Sequence, residues 1–342
     1  MAMGQAAENN DFMKRPGDPP AADILAFWRP ELGIAGWPGE DVFRGLYGQF
    51  VERVAAAPEA LRASRARPVI YVANHQVAVE SLVFVFAVAA VGGRHIRALA
   101  KQAHQTTWVG ELLGLMHDYP GQRPPPPSFF RDEYDPSSLV DMLAEMRRSL
   151  TSDGHSLLIH AEGARVLNCR QPVRQISTVF VDLARETGAA IVPARFTGGV
   201  PVETMDDFRE FPIAFGPQTY HLGRPIEAAD IEACHPRDRR QLVVEAINHT
   251  GPAAGMEAPG APDAAFRRGV QDFMTETATS QVKAVLVTAL RGLADPAPAT
   301  ARVLAAVDGQ VLELGPSPEE QWLGRFCGWL TDRRARIRGL LS

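Results

Sequence analysis

The six residues Pro68-Val69-Ile70-Tyr71-Val72-Ala73 carry no charge, and the run reads as a buried strand. Ser81 to Ala90 behind it reads as a buried helix. The pattern repeats along the chain. Strands are predicted at 95–100, 156–160, 190–195, 211–215 and 218–222, and helices at 107–113, 136–150, 175–187 and 237–248. A helical stripe over Asp41–Ala57 (Val42, Phe43, Leu46, Phe50, Val51, Val54) is expected to pack on the sheet. Alternation of this kind implies an α/β fold, with a mostly parallel central sheet flanked by helices.

The 342 residues divide by pattern into a disordered leader (1–22), an α/β domain (23–250), a Gly- and Pro-rich linker (251–263) and a helical extension (264–342). In the extension, 266–293 and 318–341 look helical. Trp322, Leu323, Phe326, Trp329, Leu330 and Ile337 form an apolar stripe beside Arg325, Arg333, Arg334, Arg336 and Arg338. Such a helix can lie on an anionic membrane or dock an acidic carrier protein. The plainer reading is a helical cap on the α/β domain.

Composition narrows the classes. A net charge of −5 excludes nucleic acid as an expected partner. Three scattered cysteines, Cys169, Cys234 and Cys327, form no zinc spacing and suit a reducing cytoplasm. No metal or resident cofactor is expected, although His155 and His160 flank one strand. The first twenty residues are too polar for a signal peptide. Ser81 to Val91, the most apolar stretch, is far shorter than the ~20 residues that span a bilayer.

Chemistry concentrates at strand ends. Asn74-His75 follows the first apolar run, and Glu80 stands five positions after the histidine. On one unbroken helix that spacing would turn the two side chains ~140° apart. They can meet only if His75 lies in the turn before the helix and Glu80 in its first turns. Such a pair would be a general base and its orienting acid, without a nucleophile of its own. A helix-capping or loop-bonding histidine is the plainer alternative. After the strand 156–160 comes Ala161-Glu162-Gly163-Ala164-Arg165, an acid, a flexible backbone and a guanidinium suited to phosphate or carboxylate. In Ile191-Val192-Pro193, the proline argues for a sheet edge, a bulge or a strand terminus.

Taken in order, these elements resemble the glycerolipid acyltransferase family, which includes glycerol-3-phosphate and lysophosphatidic acid acyltransferases. Its Asn-His-x4-Asp motif is seen as Asn74-His75 to Glu80, and its Pro-Glu-Gly-Thr-Arg-Ser as Ala161 to Val166. Its Val-Pro strand is seen as Ile191-Val192-Pro193, and its Gly-x-Pro-Ile as Gly223-Arg224-Pro225-Ile226. The resemblance covers roughly residues 40 to 248. It implies that His75 takes a proton from an acceptor hydroxyl as that oxygen attacks the thioester of acyl-CoA or acyl-carrier protein, with Glu80 orienting the ring and no acyl-enzyme formed. It also implies substrate binding by Asn74, Glu162, Gly163, Arg165 and an arginine of the second motif. That arginine's place is taken by Pro120, leaving Arg123 or Arg131 as the nearest candidates. The implied partners are an acyl thioester donor and a lipid or small-molecule alcohol or amine. The implied location is cytoplasmic, with a peripheral contact to the inner membrane left open.

Glu80 replaces the family's Asp, and the third motif lacks its Thr and Ser, so the acceptor side departs most. Arg94, Arg97 and Lys101 could meet donor phosphates or form a solvated face. His117-Asp118 reads as structural or as part of an acceptor pocket, and Phe129-Phe130 as an acyl-tunnel wall or a closed lid. A catalytically weakened acyl- or carrier-binding scaffold is the alternative function. A thioesterase ranks last, because no Gly-x-Ser-x-Gly is present.

Overall fold

The computed structural model describes residues 21–331, apart from 133, 169, 202, 254–255 and 257–259, together with the backbone of 337–338. The chain opens with helices α1 (Ala21–Leu32) and α2 (Pro38–Phe50), strand β1 (Val51–Ala56) and helix α3 (Pro58–Ala66). The core units follow: β2 (Val69–Ala73), α4 (Val79–Gly92), β3 (Ile96–Lys101), α5 (Trp108–His117), β4 (Phe129–Arg131), α6 (Pro136–Arg148), β5 (Ser156–His160), α7 (Thr178–Thr187), β6 (Ala190–Gly198) and β7 (Gln218–Leu222). Next are α8 (Ala228–Ala233), α9 (Arg239–Asn248), α10 (Ala264–Thr277), α11 (Gln281–Arg291), α12 (Pro298–Val307), β8 (Leu312–Glu313), α13 (Pro318–Thr331) and the two-residue β9 (Ile337–Arg338).

Seven strands form one sheet in the order β1-β7-β6-β2-β5-β3-β4. β6, β2, β5, β3 and β4 run parallel; β7 pairs antiparallel to β6, and β1 parallel to β7. This is the expected mostly parallel α/β sheet. Each buried strand divides its side chains between two cores. Val69, Tyr71 and Ala73 of β2 join the cluster under α1, α2 and α4, while Ile70 and Val72 join the one under α6, α7 and α9. The crossover from β2 to β3 and that from β5 to β6 travel in opposite directions along the sheet. With right-handed crossovers they must leave by opposite faces, and a crevice opens above the carboxyl ends of β2 and β5, where such folds bind ligands.

The structure corrects several local expectations. The helix expected over 41–57 stops at Phe50. Val51 turns extended (φ −115°, ψ 115°), and Val51 and Val54 pair with Gln218 and Tyr220 as an edge strand, which suits their β-branched side chains. Residues 211–215 form turns around Pro212 instead of a strand; Phe211 is nevertheless buried, 5.4 Å from the Phe50 ring and 4.9 Å from that of Trp108. The helix expected over 266–293 is cut at Ala278, whose φ of 54° cannot continue a right-handed helix. Of the expected leader, residues 21 and 22 begin α1, and the rest lies outside the described residues.

Pro193 sits within β6, beside β2 on one side, so it is at neither an edge nor a terminus; the bulge alternative is the one realised. The Gly223 amide donates to the Pro193 carbonyl (2.8 Å), but Pro193 has no N–H to return the bond. The register to the opposite strand then slips by one residue before Ile191 and Ile226 exchange both bonds (2.9 and 2.8 Å). The defect falls where the missing donor is.

Helices α10, α11 and α13 contribute to the same apolar cluster as α2 and α4. In α13, Trp322, Leu323, Phe326 and Leu330 are buried, and the Trp322 indole donates to the Leu115 carbonyl at the end of α5 (2.6 Å). The apolar stripe therefore faces inward as a cap, and these four side chains are not available to a membrane or carrier protein. Arg333, Arg334 and Arg336 lie outside the described residues, and so do the side chains of Ile337 and Arg338. Among the described residues no helix is long and apolar enough to cross a membrane. Trp322→Ala should cost about 3–5 kcal/mol in urea unfolding; a loss below about 1 kcal/mol would show that α13 is not integral to the core.

Candidate active site

β2 ends at Ala73 and α4 begins at Val79, so Asn74 to Ala78 form the connecting turn. The turn is held from both sides. The Asn74 side chain accepts from the Phe196 amide (2.7 Å) and donates to the Phe196 carbonyl (3.0 Å), tying it to β6. The Ala78 and Val79 amides, otherwise orphaned at the helix start, donate to the carbonyls of Arg209 and Glu210 (3.2 and 3.1 Å). His75 thus lies before the helix and Glu80 in its first turn. Their side chains meet, with His75 Nδ1 2.7 Å from Glu80 Oε1.

Glu80 is fully buried. Its carboxylate accepts from the Gln76 amide (2.6 Å) at Oε1 and from Gln218 Nε2 of β7 (3.1 Å) at Oε2. These donors favour the ionised form, but burial is the larger influence and raises its pKa to about 7. Burial, helped by the nearby Arg165 cation, lowers His75 to about 3. A neutral imidazole facing a carboxylate holds its hydrogen on Nδ1, so Nε2 carries a lone pair.

A second imidazole lies on the first. The rings of His75 and His160 are 3.8 Å apart and 16° from parallel. The pairing of Ala73 with His160 across β2 and β5 puts them there. His160 Nδ1 is 2.8 Å from the Asn74 carbonyl, and Nε2 is 2.7 Å from Ser81 Oγ. A carbonyl only accepts, so Nδ1 bears the hydrogen. Burial lowers His160 to about 3 as well, so the ring is neutral and Ser81 donates its hydroxyl hydrogen to Nε2.

His75, Glu80 and His160 bring three ligand-type atoms within 4.8 Å of one another. The geometry does not suit a metal. Lone pairs lie in the ring planes, and two stacked, near-parallel rings cannot aim them at one ion with bonds of about 2.0–2.1 Å. Both nitrogens of His160 also have partners already. His155, at the other end of β5, is 5.8 Å from His95 and belongs to a different neighbourhood.

These groups face a cavity of about 750 Å³ above the sheet. Glu162, Gly163 and Arg165 line it with His75, Ser81 and His160. Gly163 adopts φ +68°, and open space surrounds the place a side chain would take. Arg165 is held by Glu210 Oε1 and the Arg209 carbonyl (both 2.9 Å), and Glu210 Oε2 accepts from the Trp108 indole (2.6 Å). Lys101, His104, His117, Phe130 and Arg131 also contribute to the wall.

Other expected residues stand elsewhere. Arg123 donates to the Pro30 carbonyl at the end of α1 and is not among the cavity-lining residues; Arg131 is. Asn74 spends its amide on Phe196, which makes it part of the scaffold of the turn. Arg97 is buried against Glu145 (2.6 Å) and over the Phe129 ring (3.7 Å), and Arg94 donates to the carbonyls of Ser64, Arg65, Ala66 and Gly154. Neither guanidinium is placed to meet a donor phosphate. Phe129 is buried, while Phe130 faces the cavity.

The sequence reading missed Ser81, Gln218, Glu210 and the role of His160. The strand assignments 68–73 and 156–160 held a signal for His160, since in adjacent parallel strands the end of one (His160) stands level with the turn that follows the other (His75). Nothing in the chain, however, states that β2 and β5 are neighbours.

A model of the acyltransferase family matches residues 55–197. That span holds His75, Glu80, His160, Glu162 and Arg165, and it ends before β7 and the Gly-x-Pro-Ile segment. The match supports acyl transfer as the general chemistry. No curated protein matches the chain.

The buried imidazoles also set the response to acid. Unfolded histidines take up protons near pH 6.5, whereas folded His75 and His160 resist down to about 3 and His221 of β7 to about 4. Their contribution to stability is present above pH 6.5 and is lost as pH falls toward those values. Glu80 opposes this, holding below about pH 7 a proton that the unfolded chain releases above about 4.5, but one carboxyl is outnumbered. The urea midpoint should therefore drop between pH 7 and 5, and His221→Gln should flatten the slope by up to about 1.4 kcal/mol per pH unit. A midpoint independent of pH would show that the imidazoles protonate within the folded state.

Proposed function

We propose that this protein is an acyltransferase that moves an acyl group from a coenzyme A or acyl-carrier-protein thioester to a hydroxyl, or an amine, of a lipid or small-molecule acceptor. The observation that carries this reading is the 2.7 Å contact between Glu80 and His75, which lines the cavity. His75 Nε2 accepts the proton of the acceptor as its oxygen attacks the thioester carbon. Glu80 keeps the ring in the tautomer with Nε2 bare and stabilises the imidazolium that forms. General-base action of this kind contributes about 10²–10⁴-fold, and holding both substrates in one cavity supplies much of the rest.

Arg165 and Arg131 are the cations we assign to an acceptor phosphate or a donor phosphate, because both line the cavity. Arg123 is withdrawn from that role. The acyl chain finds apolar wall at Leu82, Val85, Phe86, Leu99 and Phe130. A glycerol-phosphate acceptor is supported by Glu162-Gly163-x-Arg165, and a different alcohol or an amine by the absence of the second-motif arginine at Pro120. The intact dyad and its open cavity favour turnover over a purely binding scaffold. We place the enzyme in the cytoplasm, with access to membrane lipid by peripheral contact.

Protonating the pair blocks the base. Whether the added proton sits on His75 or on Glu80 Oε1, Nε2 ends with a hydrogen, because a protonated Oε1 donates to Nδ1 and displaces the ring hydrogen. The pair titrates as a unit, in a range set by the raised carboxyl at about 7. With purified protein, mixed acyl-CoA donors and an alcohol acceptor, kcat/KM should rise with pH to a plateau with a midpoint near 7. His75→Ala should lower kcat by about 10²–10⁴-fold, and Glu80→Gln should lower kcat and erase the limb near pH 7. Equal turnover by wild type and His75→Ala would remove His75 as the base.

A further inference from the structure

The cavity does not end at the histidines. From His75 and Ser81 it continues down the face of the sheet between α4 and β3, lined by Leu82, Val85 and Phe86 on one side and by Ile96, Ala98 and Ala100 on the other. Leu82, Val85 and Phe86 share one face of α4, and Ile96, Ala98 and Ala100 alternate onto one face of β3. The two alanines are too short to fill the space beneath the helix, so a furrow remains. α4 connects parallel strands of one sheet and therefore runs back from the carboxyl edge to the amino edge. The furrow descends with it, away from His75. At its lower end stands Trp28 of α1, buried and held firmly. Its indole donates to the Phe86 carbonyl (2.9 Å), and its ring packs against those of Phe86 (4.9 Å) and His95 (5.1 Å). His95 is tied in turn to Glu31 of α1 (2.9 Å). Behind Trp28 lies a second, apolar cavity of about 60 Å³ among Leu25, Leu32, Val42 and Leu46. Trp28 and Phe86 line both cavities and so stand between them. Because α1 precedes the span 55–197 that the family model matches, this barrier is supplied from outside the matched segment.

The backbone sets the depth of the furrow. Ala78 to Phe86 descends about 12 Å at about 1.5 Å per residue, and Ile96 to Lys101 covers about 16 Å at about 3.3 Å per residue. An extended hydrocarbon advances about 1.25 Å per carbon, given a bond of about 1.52 Å and an angle of about 111°. The furrow thus holds roughly ten to thirteen carbons. We infer that Trp28 is a specificity-determining residue, the stop against which the end of a medium-chain acyl group rests while its thioester lies at His75. The inference rests on the acyl-thioester reading above and adds chain length to it. A longer chain meets the indole before its carbonyl carbon reaches the base, and a shorter one leaves apolar wall uncovered.

The test uses the full-length protein with octanoyl-, dodecanoyl- and palmitoyl-CoA. Wild type should prefer dodecanoyl-CoA, with kcat/KM above that for palmitoyl-CoA by about tenfold or more. Trp28→Ala joins the furrow to the second cavity and should raise palmitoyl-CoA relative to dodecanoyl-CoA by a similar factor. Should that variant fail to fold, Phe86→Leu thins the same barrier and should shift the preference in the same direction. Binding is read without turnover in His75→Ala. Dodecanoyl-CoA carrying bromine, a contact quencher, on its terminal carbon should quench tryptophan fluorescence, and adding Trp28→Phe should abolish that quenching. Equal kcat/KM for dodecanoyl- and palmitoyl-CoA, a length preference indifferent to both barrier variants, or terminal-bromine quenching that survives Trp28→Phe would each overturn the stop and leave acyl transfer standing. Binding of none of the three thioesters would overturn it together with the acyl-thioester reading.

Discussion

A carboxylate with no exposure to water must be surrounded by donors or give up its charge, and the placement of Glu80 shows how much of the molecule answers to that requirement. Its partners come from three places: the ring of His75 in the turn, the amides of Gln76 and Val77 beside it, and the side-chain amide of Gln218 at the start of β7. The Gln218 contact requires β7 to return antiparallel beside β6 and to begin at the right height. The balance between these bonds and burial lifts the carboxyl into the neutral range. In the proposed mechanism such a carboxyl would orient its imidazole partner and share its proton.

The distribution of mass around the sheet follows from the same geometry. Among the described residues, one face carries α6, α7, α8 and α9 over a modest core. The other carries α1, α2 and α4 and then the whole helical array from α10 to α13, all sharing one apolar cluster. Trp322 exemplifies the union: it is fully buried, and its indole is bonded to the end of α5, which borders the cavity. The helices beyond residue 264 thus stand behind the part of the cavity wall that α5 forms.

Sequence reading reached the parts whose physics is local. The apolar runs at 69–73 and 156–160, the helix behind the first of them, and the requirement that His75 precede a helix that Glu80 begins are all written in short stretches of chain. What escaped depends on who neighbours whom. Val51 and Val54 sit at helical spacing in a stripe that continues α2, and only pairing with β7 makes them a strand. Arg123 stands nearest the missing second-motif arginine, yet folding spends it on the Pro30 carbonyl, while Arg131, eight positions later, reaches the cavity. His155 and His160 flank one strand in the sequence, which alone pairs them. Their partners proved to be on different neighbours at opposite ends of it.

Asn74 offers both atoms of its amide to the backbone of Phe196 and so behaves as one more rung of the ladder between β2 and β6. The loop bearing His75 is therefore built as an extension of the central sheet. On the acyl-transfer reading, differences in substrate shape would fall on the rest of the wall, which Pro125, Pro126 and Pro127 line with Phe130 and Arg131. On that reading, a lineage of such enzymes would change what it acylates by editing those wall residues while keeping the loop.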